Sequence, residues 1–445
     1  MSSSYRIAIV GGGLAGLAAA HSLKAFEMQP QVFEAAPALG EIGAAVNVSP
    51  QAFKALQAIG LGGKVAAVAT ASPGIYTRNM QTGEFLEFND RRKAAARYGA
   101  PYYTFHRADL LDALASGLDR SAIYLGQRLT GLEERGDHVI LAFANGNRVE
   151  VEIVIGADGV RSVIRRSLYG DDNPTYTGQM VWRALLNGED VPEEVLEPTG
   201  HIQWVGPGCH LLAYYIRGKK LVNIVTQEDT DKWVEEGWSI RGDPDEMRSS
   251  FPNPEPRLAK LLSLVTECSK WGLFTRPLTQ NWGRGRIQLI GDAAHAMLPN
   301  AGQGACQAFE DAYILARWLK ACRDPVEAFA NFRRIRVPRV HGVQRSPCPM
   351  RASSTCATAR RRRERSPPAR AACTATPIGS GVTIPSADGT RSLSSPRPMR
   401  REAQSIEASI SRDPSGLDQT RPAVLRLGQI GRNLLGRGCS RFVAQ

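Results

Sequence analysis

Near the start of the chain, Tyr5–Val10 (YRIAIV) runs without interruption into Gly11-Gly12-Gly13-Leu14-Ala15-Gly16, which opens directly into LAAAHSLKAF. Few patterns restrict a fold so strongly. The first run reads as an apolar strand, and the last has the apolar spacing of a helix. The glycines at 11, 13 and 16 have separate tasks. The first permits a tight turn, the second lets a pyrophosphate approach the backbone, and the third lets the helix pack close on the strand. The helix start offers unpaired N–H groups and a positive dipole end to those phosphates. A parallel α/β sheet wound around this strand is the expected architecture.

A second strand, Gln31–Phe33, ends at Glu34, 18 residues beyond Gly16. A carboxylate there can accept hydrogen bonds from ribose hydroxyls, which favours an adenosine without a 2′-phosphate. Ala15 in the turn and Ala35 after Glu34 belong to the same cofactor-binding set. This fingerprint leaves NAD and FAD both open.

Two later segments repeat the strand-and-turn grammar. VEIVIGADGVRSVIRRSL holds a strand (Val151–Ile155), the turn Gly156-Ala157-Asp158-Gly159 and a basic helix. RIQLIGDAAHAMLPNAGQGACQAFEDAYILARWLKA holds a strand (Arg286–Ile290), then Gly291-Asp292, a loop, and an amphipathic helix (Cys306–Ala321). Taken alone, Asp158 before Gly159 is also what an ordinary turn looks like.

The chain has 445 residues and a net charge of +12, enough for roughly two to three domains. The charge is not spread evenly. After Ser346 lie 17 of the 55 basic residues, all Arg, and only 6 of the 43 acidic ones. What precedes is nearly neutral, so no nucleic-acid surface is expected there. No apolar run approaches the ~18 residues of a membrane span. The start has no basic segment of the kind that opens a signal peptide. Cys209, Cys268, Cys306 and Cys322 are scattered, and no Cys/His pair has ligand spacing. Neither a disulfide framework nor a metal site is expected, and a reducing cytoplasm fits.

The tail has its own explanation. Segments such as RRRRERSPPARAA and SLSSPRPMRRE are what GC-rich codons yield out of register, and apolar patterning fades apart from one short helix candidate near Val424–Leu435. Codons can be chosen for Pro347–Thr358 and Cys373–Pro385 so that the neighbouring frame reads SLSNARFKHMRD and VHGNTDWIWGYDP. A single-base shift near codons 346–347 is the expectation, leaving residues 347–445 as a low-order, Arg-rich tail.

With these three motifs in order, plus His106-Arg107-Ala108-Asp109-Leu110, the chain resembles the single-component FAD-dependent aromatic hydroxylases. These are also called class A flavoprotein monooxygenases. It looks most like the group containing salicylate hydroxylase, 3-hydroxybenzoate 6-hydroxylase and 6-hydroxynicotinate 3-monooxygenase. The resemblance runs from about Arg6 to Ser346, and the two recovered strings resemble the group's C-terminal segment. It implies a Rossmann-like FAD-binding domain (1–174 and 286–346) with an inserted mixed β-sheet, α+β substrate domain (175–285). It also implies that Arg107 contacts FAD, that Leu129 meets the adenine region through its backbone, and that Asp158 serves both FAD and the nicotinamide cofactor. Asp292 would hold the ribityl and pyrophosphate part, and Asn47 would approach the flavin and substrate. Gly304 and Ala305 open the last helix, where free N–H groups favour the anionic edge of reduced flavin.

For the substrate, GQMVWRALL, GHIQWVGPGCHLLAYYI and KLVNIVTQ are β-type runs expected to form a sheet over the flavin ring. His210 and Tyr214 are four residues apart and share a strand face. The resemblance gives them contact with the substrate's hydroxyl or carboxylate. A neutral His210 with a pKa near working pH could take a phenol proton. A hydrogen-bonded core role for both is the competing reading. Arg183 could pair with a carboxylate or serve a structural ion pair, and Pro299 could offer its carbonyl to the pocket. Pro299 also stands where the 3-hydroxybenzoate enzyme has a pocket glutamine, which counts against that ring. His295 is expected to stabilise its loop.

The reaction so implied is NAD(P)H- and O2-dependent hydroxylation of a salicylate-like phenolic or heteroaromatic acid through a flavin C4a-hydroperoxide, by a monomer or homodimer. Another FAD-dependent oxidase, dehydrogenase or epoxidase, or an inactive truncated relative, are the alternatives. A tail-dependent nucleic-acid-binding protein is the rival from another class.

Overall fold

The computed structural model describes residues 5–40, 45–171, 174–230, 232, 234–235, 240–299 and 302–345. The expectations for the tail after Ser346, including the Val424–Leu435 helix, lie outside the described residues. At the centre of a six-stranded sheet stands Ile7–Val10, flanked by Ile153–Gly156 and Pro30–Phe33, with Ile287–Leu289, Gly283–Arg284 and Ile123–Tyr124 further out. All pairings are parallel except the Gly283–Arg284 edge. Both central strands are buried at every residue, as expected when helices cover both faces of a parallel sheet. The helices Leu14–Ala25 and Gly304–Ala321 pack on one another. Sequence order reverses at Ile7–Val10, because its neighbours come from residues 30 and 153. The crevice beyond the carboxyl ends at such a point is where α/β sheets bind ligands.

Several boundaries differ from the sequence expectation, and three have an evident cause. The first strand begins at Ile7, since Tyr5 turns its hydroxyl to the Arg323 carbonyl. The strand expected from Val151 begins at Ile153, because Val151 still pairs with Val139 in a separate three-stranded sheet and the chain changes sheets at Glu152. The long helix begins at Gly304, where the Gln307 N–H already bonds the Gln303 carbonyl.

The β-type runs of the middle region form Thr175–Asn187, His201–Gly206, Cys209–Ile216 and Leu221–Asp229 of an eight-stranded sheet. Two strands from earlier in the chain, Gly74–Asn79 and Phe85–Asp90, complete it on one side. Helices Pro244–Ser249 and Pro256–Ser263 cover one face, over a core with Trp182, Trp204, Leu211, Ala213 and Ile224. The intervening residues, including Arg183, His201, His210, Tyr214 and Asn223, therefore point to the other face. That face meets a small sheet of Ala45–Val48, Thr70–Ala71 and Tyr103–His106: the Ala45 N–H donates to Asn223 Oδ1 (3.4 Å), and the Thr104 hydroxyl reaches the Tyr215 carbonyl (3.4 Å).

Candidate active site

The glycine turn explains the floor of the site. Gly11 has φ +108°, and a Cβ there would lie 2.3 Å from the Ala157 carbonyl oxygen. A Cβ on Gly16 would lie 1.9 Å from the Gly11 carbonyl oxygen. Any side chain at 16 would push the helix off the strand, so Gly16 closes the turn from behind, while its neighbours line the groove.

In front of the turn is a groove of about 430 Å³. Gly11, Gly13 and Ala15 line its floor, and Glu34 and Ala35 line one end. Arg107 and Leu129 form a wall, and Asp158, Asp292, Gly304 and Ala305 complete it. Of the expected cofactor positions, only Gly16 and Asn47 stand apart. Glu34 accepts the Gly12 N–H at 2.5 Å on Oε2 and the Ala36 N–H at 2.8 Å on Oε1. That grip aims the carboxylate at the turn where a ribose would lie. Burial lowers the pKa of the Arg107 guanidinium, and the Asp292 carboxylate opposes that shift.

Asp158 lines the groove, yet its carboxylate is already engaged. It accepts the Ser162 hydroxyl at 2.6 Å and the N–H groups of Val163 and Ile164 at 2.8 and 3.2 Å. Burial raises its pKa despite these bonds. The geometry is that of a cap on the helix Val163–Tyr169, which limits what Asp158 can offer a ligand.

Behind Asp292 lies a network with no local signature in the sequence. Asp311 Oδ2 accepts the Gly291 N–H at 3.0 Å and lies 2.6 Å from His295 Nε2, so His295 holds the loop. Arg336, from the helix Pro325–Arg345, reaches Asp311 Oδ1 at 2.8 Å and Glu310 Oε2 at 2.6 Å. Burial opposes ionisation of Asp311, but His295 and Arg336 outweigh it and hold its pKa low.

On the face of the eight-stranded sheet away from its covering helices, His210 and Tyr214 lie together as their spacing predicts. Burial lowers the His210 pKa to about 4, with Asp229 pulling the other way. His210 is therefore neutral at pH 7, but it is a weaker base than an ordinary imidazole. Burial pushes the Tyr214 hydroxyl up to about 12, opposed by the charges of Arg183 and Arg91 and by Asn47 beside it. Arg183 lies with Cζ 4.7 Å over the Trp271 ring, and its pKa falls to about 10 through burial. It makes no ion pair among the described residues. Arg183 Nε and Asn47 Oδ1 are buried without a hydrogen-bond partner. The charge of Arg107, which lines the groove, also lowers the Arg183 pKa.

Pro299 is exposed, and its carbonyl accepts the Gly302 N–H at 2.9 Å, a bond that uses one of its two lone pairs. Sequence reading also passed over His201, Ser72 and Arg91. The alternation of GHIQW does place His201 on the same face as Tyr214, its cross-strand partner. Nothing local ties Ser72 or Arg91 to them.

Residues 4–324 match the family described as FAD binding domain. A 3-amino-4-hydroxybenzoate 2-monooxygenase of Streptomyces platensis is 36% identical over 342 residues, 76% of this chain and 86% of that protein. A 6-hydroxynicotinate 3-monooxygenase of Pseudomonas fluorescens is 36% identical over 350 residues, 78% of this chain and 91% of that protein. Among solved structures, a salicylate hydroxylase substrate complex superposes with a TM-score of 0.68, at 26% identity over 80% of this chain and 89% of that one. A groove with a carboxylate at one end, a glycine turn and a second helix N-terminus fits the FAD that the family description names. The chain belongs to the FAD-dependent aromatic hydroxylases, a family of flavoprotein monooxygenases, and its cofactor is FAD.

Proposed function

We propose that this enzyme hydroxylates a small phenolic or heteroaromatic acid, using NAD(P)H and O2. The observation that carries this reading is the polar cluster around Tyr214. Arg183 Nε and Asn47 Oδ1 are buried and unpartnered beside Tyr214, and leaving such groups unsatisfied costs about 1–3 kcal/mol each. A ring bearing a hydroxyl and a carboxylate supplies the missing donor and acceptors. The hydroxybenzoate and hydroxynicotinate named for the relatives carry both groups.

Bound FAD supplies the redox chemistry: two electrons from NAD(P)H reach O2, one oxygen atom goes to the ring and the other leaves as water. The protein's own residues position and polarise the ring. Arg183 favours negative charge on it, and neutral His210 accepts a hydrogen bond from the ring hydroxyl, which raises electron density on that oxygen and in the ring carbon that takes up oxygen. The eight-stranded sheet and the strand Ala45–Val48 exclude water on either side. On this reading residues 1–174 and 286–346 bind FAD, and 175–285 carry most of the substrate face. His210, Tyr214, Arg183 and Asn47 are its substrate contacts.

The test is a panel of ring acids on FAD-loaded protein, following NAD(P)H loss and product mass. A ring acid that speeds NAD(P)H oxidation and gains one oxygen atom is the expected result. Oxidation that no ring accelerates, with only hydrogen peroxide formed, sinks the reading.

A further inference from the structure

Arg91 opens the helix Arg91–Tyr98. The adjacent acid is not its partner, because Asp90 holds Arg92 through both carboxylate oxygens at 2.9 and 3.2 Å. Arg91 Nη1 instead donates to Ser72 Oγ at 3.1 Å, and its Cζ lies 4.9 Å over the Tyr102 ring. No carboxylate among the described residues forms an ion pair with it. A guanidinium has five donors and no acceptor, so most of its capacity is unused.

The contact with Ser72 joins Arg91 to a second side chain. Ser72 Oγ accepts from Arg91 Nη1 and lies 3.0 Å from His201 Nδ1, so it bridges the two. The His201 ring stacks on Tyr214 at 4.5 Å, and its Nε2 is buried without a partner. Around Tyr214, among the described residues, there are thus two cations without an ion-pair partner and one buried, unpartnered imidazole nitrogen, with Asn47 Oδ1 as a spare acceptor. What is missing is a planar group rich in acceptors.

We infer that Arg91 is a substrate-binding residue which, with Arg183, selects rings carrying a carboxylate, while Ser72 and His201 act as positioning residues. This rests on the hydroxylase reading above and gives it a charge requirement. Arg91 takes the carboxylate through its free donors, His201 Nε2 adds a hydrogen bond, and Tyr214 is held in register by the stack.

The experiment uses the full chain loaded with FAD and two probe pairs: 6-hydroxynicotinate with 6-hydroxynicotinamide, and 3-hydroxybenzoate with 3-hydroxybenzamide. Binding is read from the flavin absorbance change, independently of turnover. The unaltered protein is expected to bind at least one acid on the order of tenfold or more tighter than its amide. In Arg91→Met that preference falls to within about threefold, and in Ser72→Ala it falls part of the way. Equal binding of acid and amide by the unaltered protein overturns the inference. So does an Arg91→Met variant that loses both probes by the same factor, which would mark a structural role. If Arg91→Met does not fold, Arg91→Gln carries the same comparison with the same two outcomes. If no ring of either kind perturbs the flavin or accelerates NAD(P)H oxidation, the hydroxylase reading falls first, and this inference with it.

Discussion

Arg336 Nε lies 2.8 Å from Asp311 Oδ1, and the other oxygen of that carboxylate holds the N–H of Gly291, next to Asp292. A residue on the last described helix is thus two hydrogen bonds from the flavin groove. Arg336, Asp311 and Glu310 are all buried. Removing one partner of a buried ion cluster leaves uncompensated charge and costs about 3–5 kcal/mol. Arg336→Met is expected to lower stability by that order and to weaken FAD retention. Urea denaturation and the flavin-to-protein absorbance ratio of the purified variant check both effects.

Gly16→Ala tests the turn itself. A Cβ 1.9 Å from the Gly11 carbonyl oxygen cannot be accommodated without moving backbone. Gly60, where a Cβ would meet nothing within 4 Å, is the control for substitution at a loop glycine, although its φ of +81° adds local strain. Gly16→Ala should purify with little or no flavin, whereas Gly60→Ala should keep its yellow colour. Equal flavin content in the two would show that the turn does not set the groove.

Glu34 spends its hydrogen bonds on the Gly12 and Ala36 N–H groups. Glu34→Ala leaves those donors to water and removes the acceptor for ribose. FAD affinity is expected to fall about tenfold or more. The measurement is a titration of flavin-stripped protein with FAD, followed by quenching of flavin fluorescence.

His210 links the site to acid stability. Its folded pKa of about 4 lies below its ordinary 6.5. Above pH 6.5 both folded and unfolded chains carry it neutral, and its stabilising effect is fully present. As pH falls below 6.5 the unfolded chain binds a proton that the folded chain refuses, so stability declines until about pH 4. At roughly 1.4 kcal/mol per pKa unit, the decline attributable to His210 is about 3 kcal/mol. Burial and the charge of Arg91 also hold His201 well below its ordinary value, which acts in the same direction. Unfolding midpoints at pH 7 and pH 4.5 should therefore converge in His210→Phe relative to the unaltered protein.

What could be read along the chain was whatever depends on near neighbours. The central strand, the glycine turn and the helix after it are specified by apolar period and by glycines within twelve residues. Most of the groove lining follows, because Glu34, Asp158, Asp292 and Gly304 each sit at the end of a strand or the start of a helix. The eight-stranded sheet was only partly legible: its middle strands alternate, but nothing in residues 74–90 says which sheet they join.

Tertiary structure alone decided the rest. Arg91, Ser72, His201 and Tyr214 come from three separate stretches of chain and meet only when the sheet is assembled. The same holds for Arg336, which finds Asp311 across two packed helices. Burial, which carries His210 from an ordinary base to a weak one, is a property of everything packed around it. Local periodicity specifies which face a side chain takes on its own element, whereas its partners and its solvation are set by elements distant in sequence.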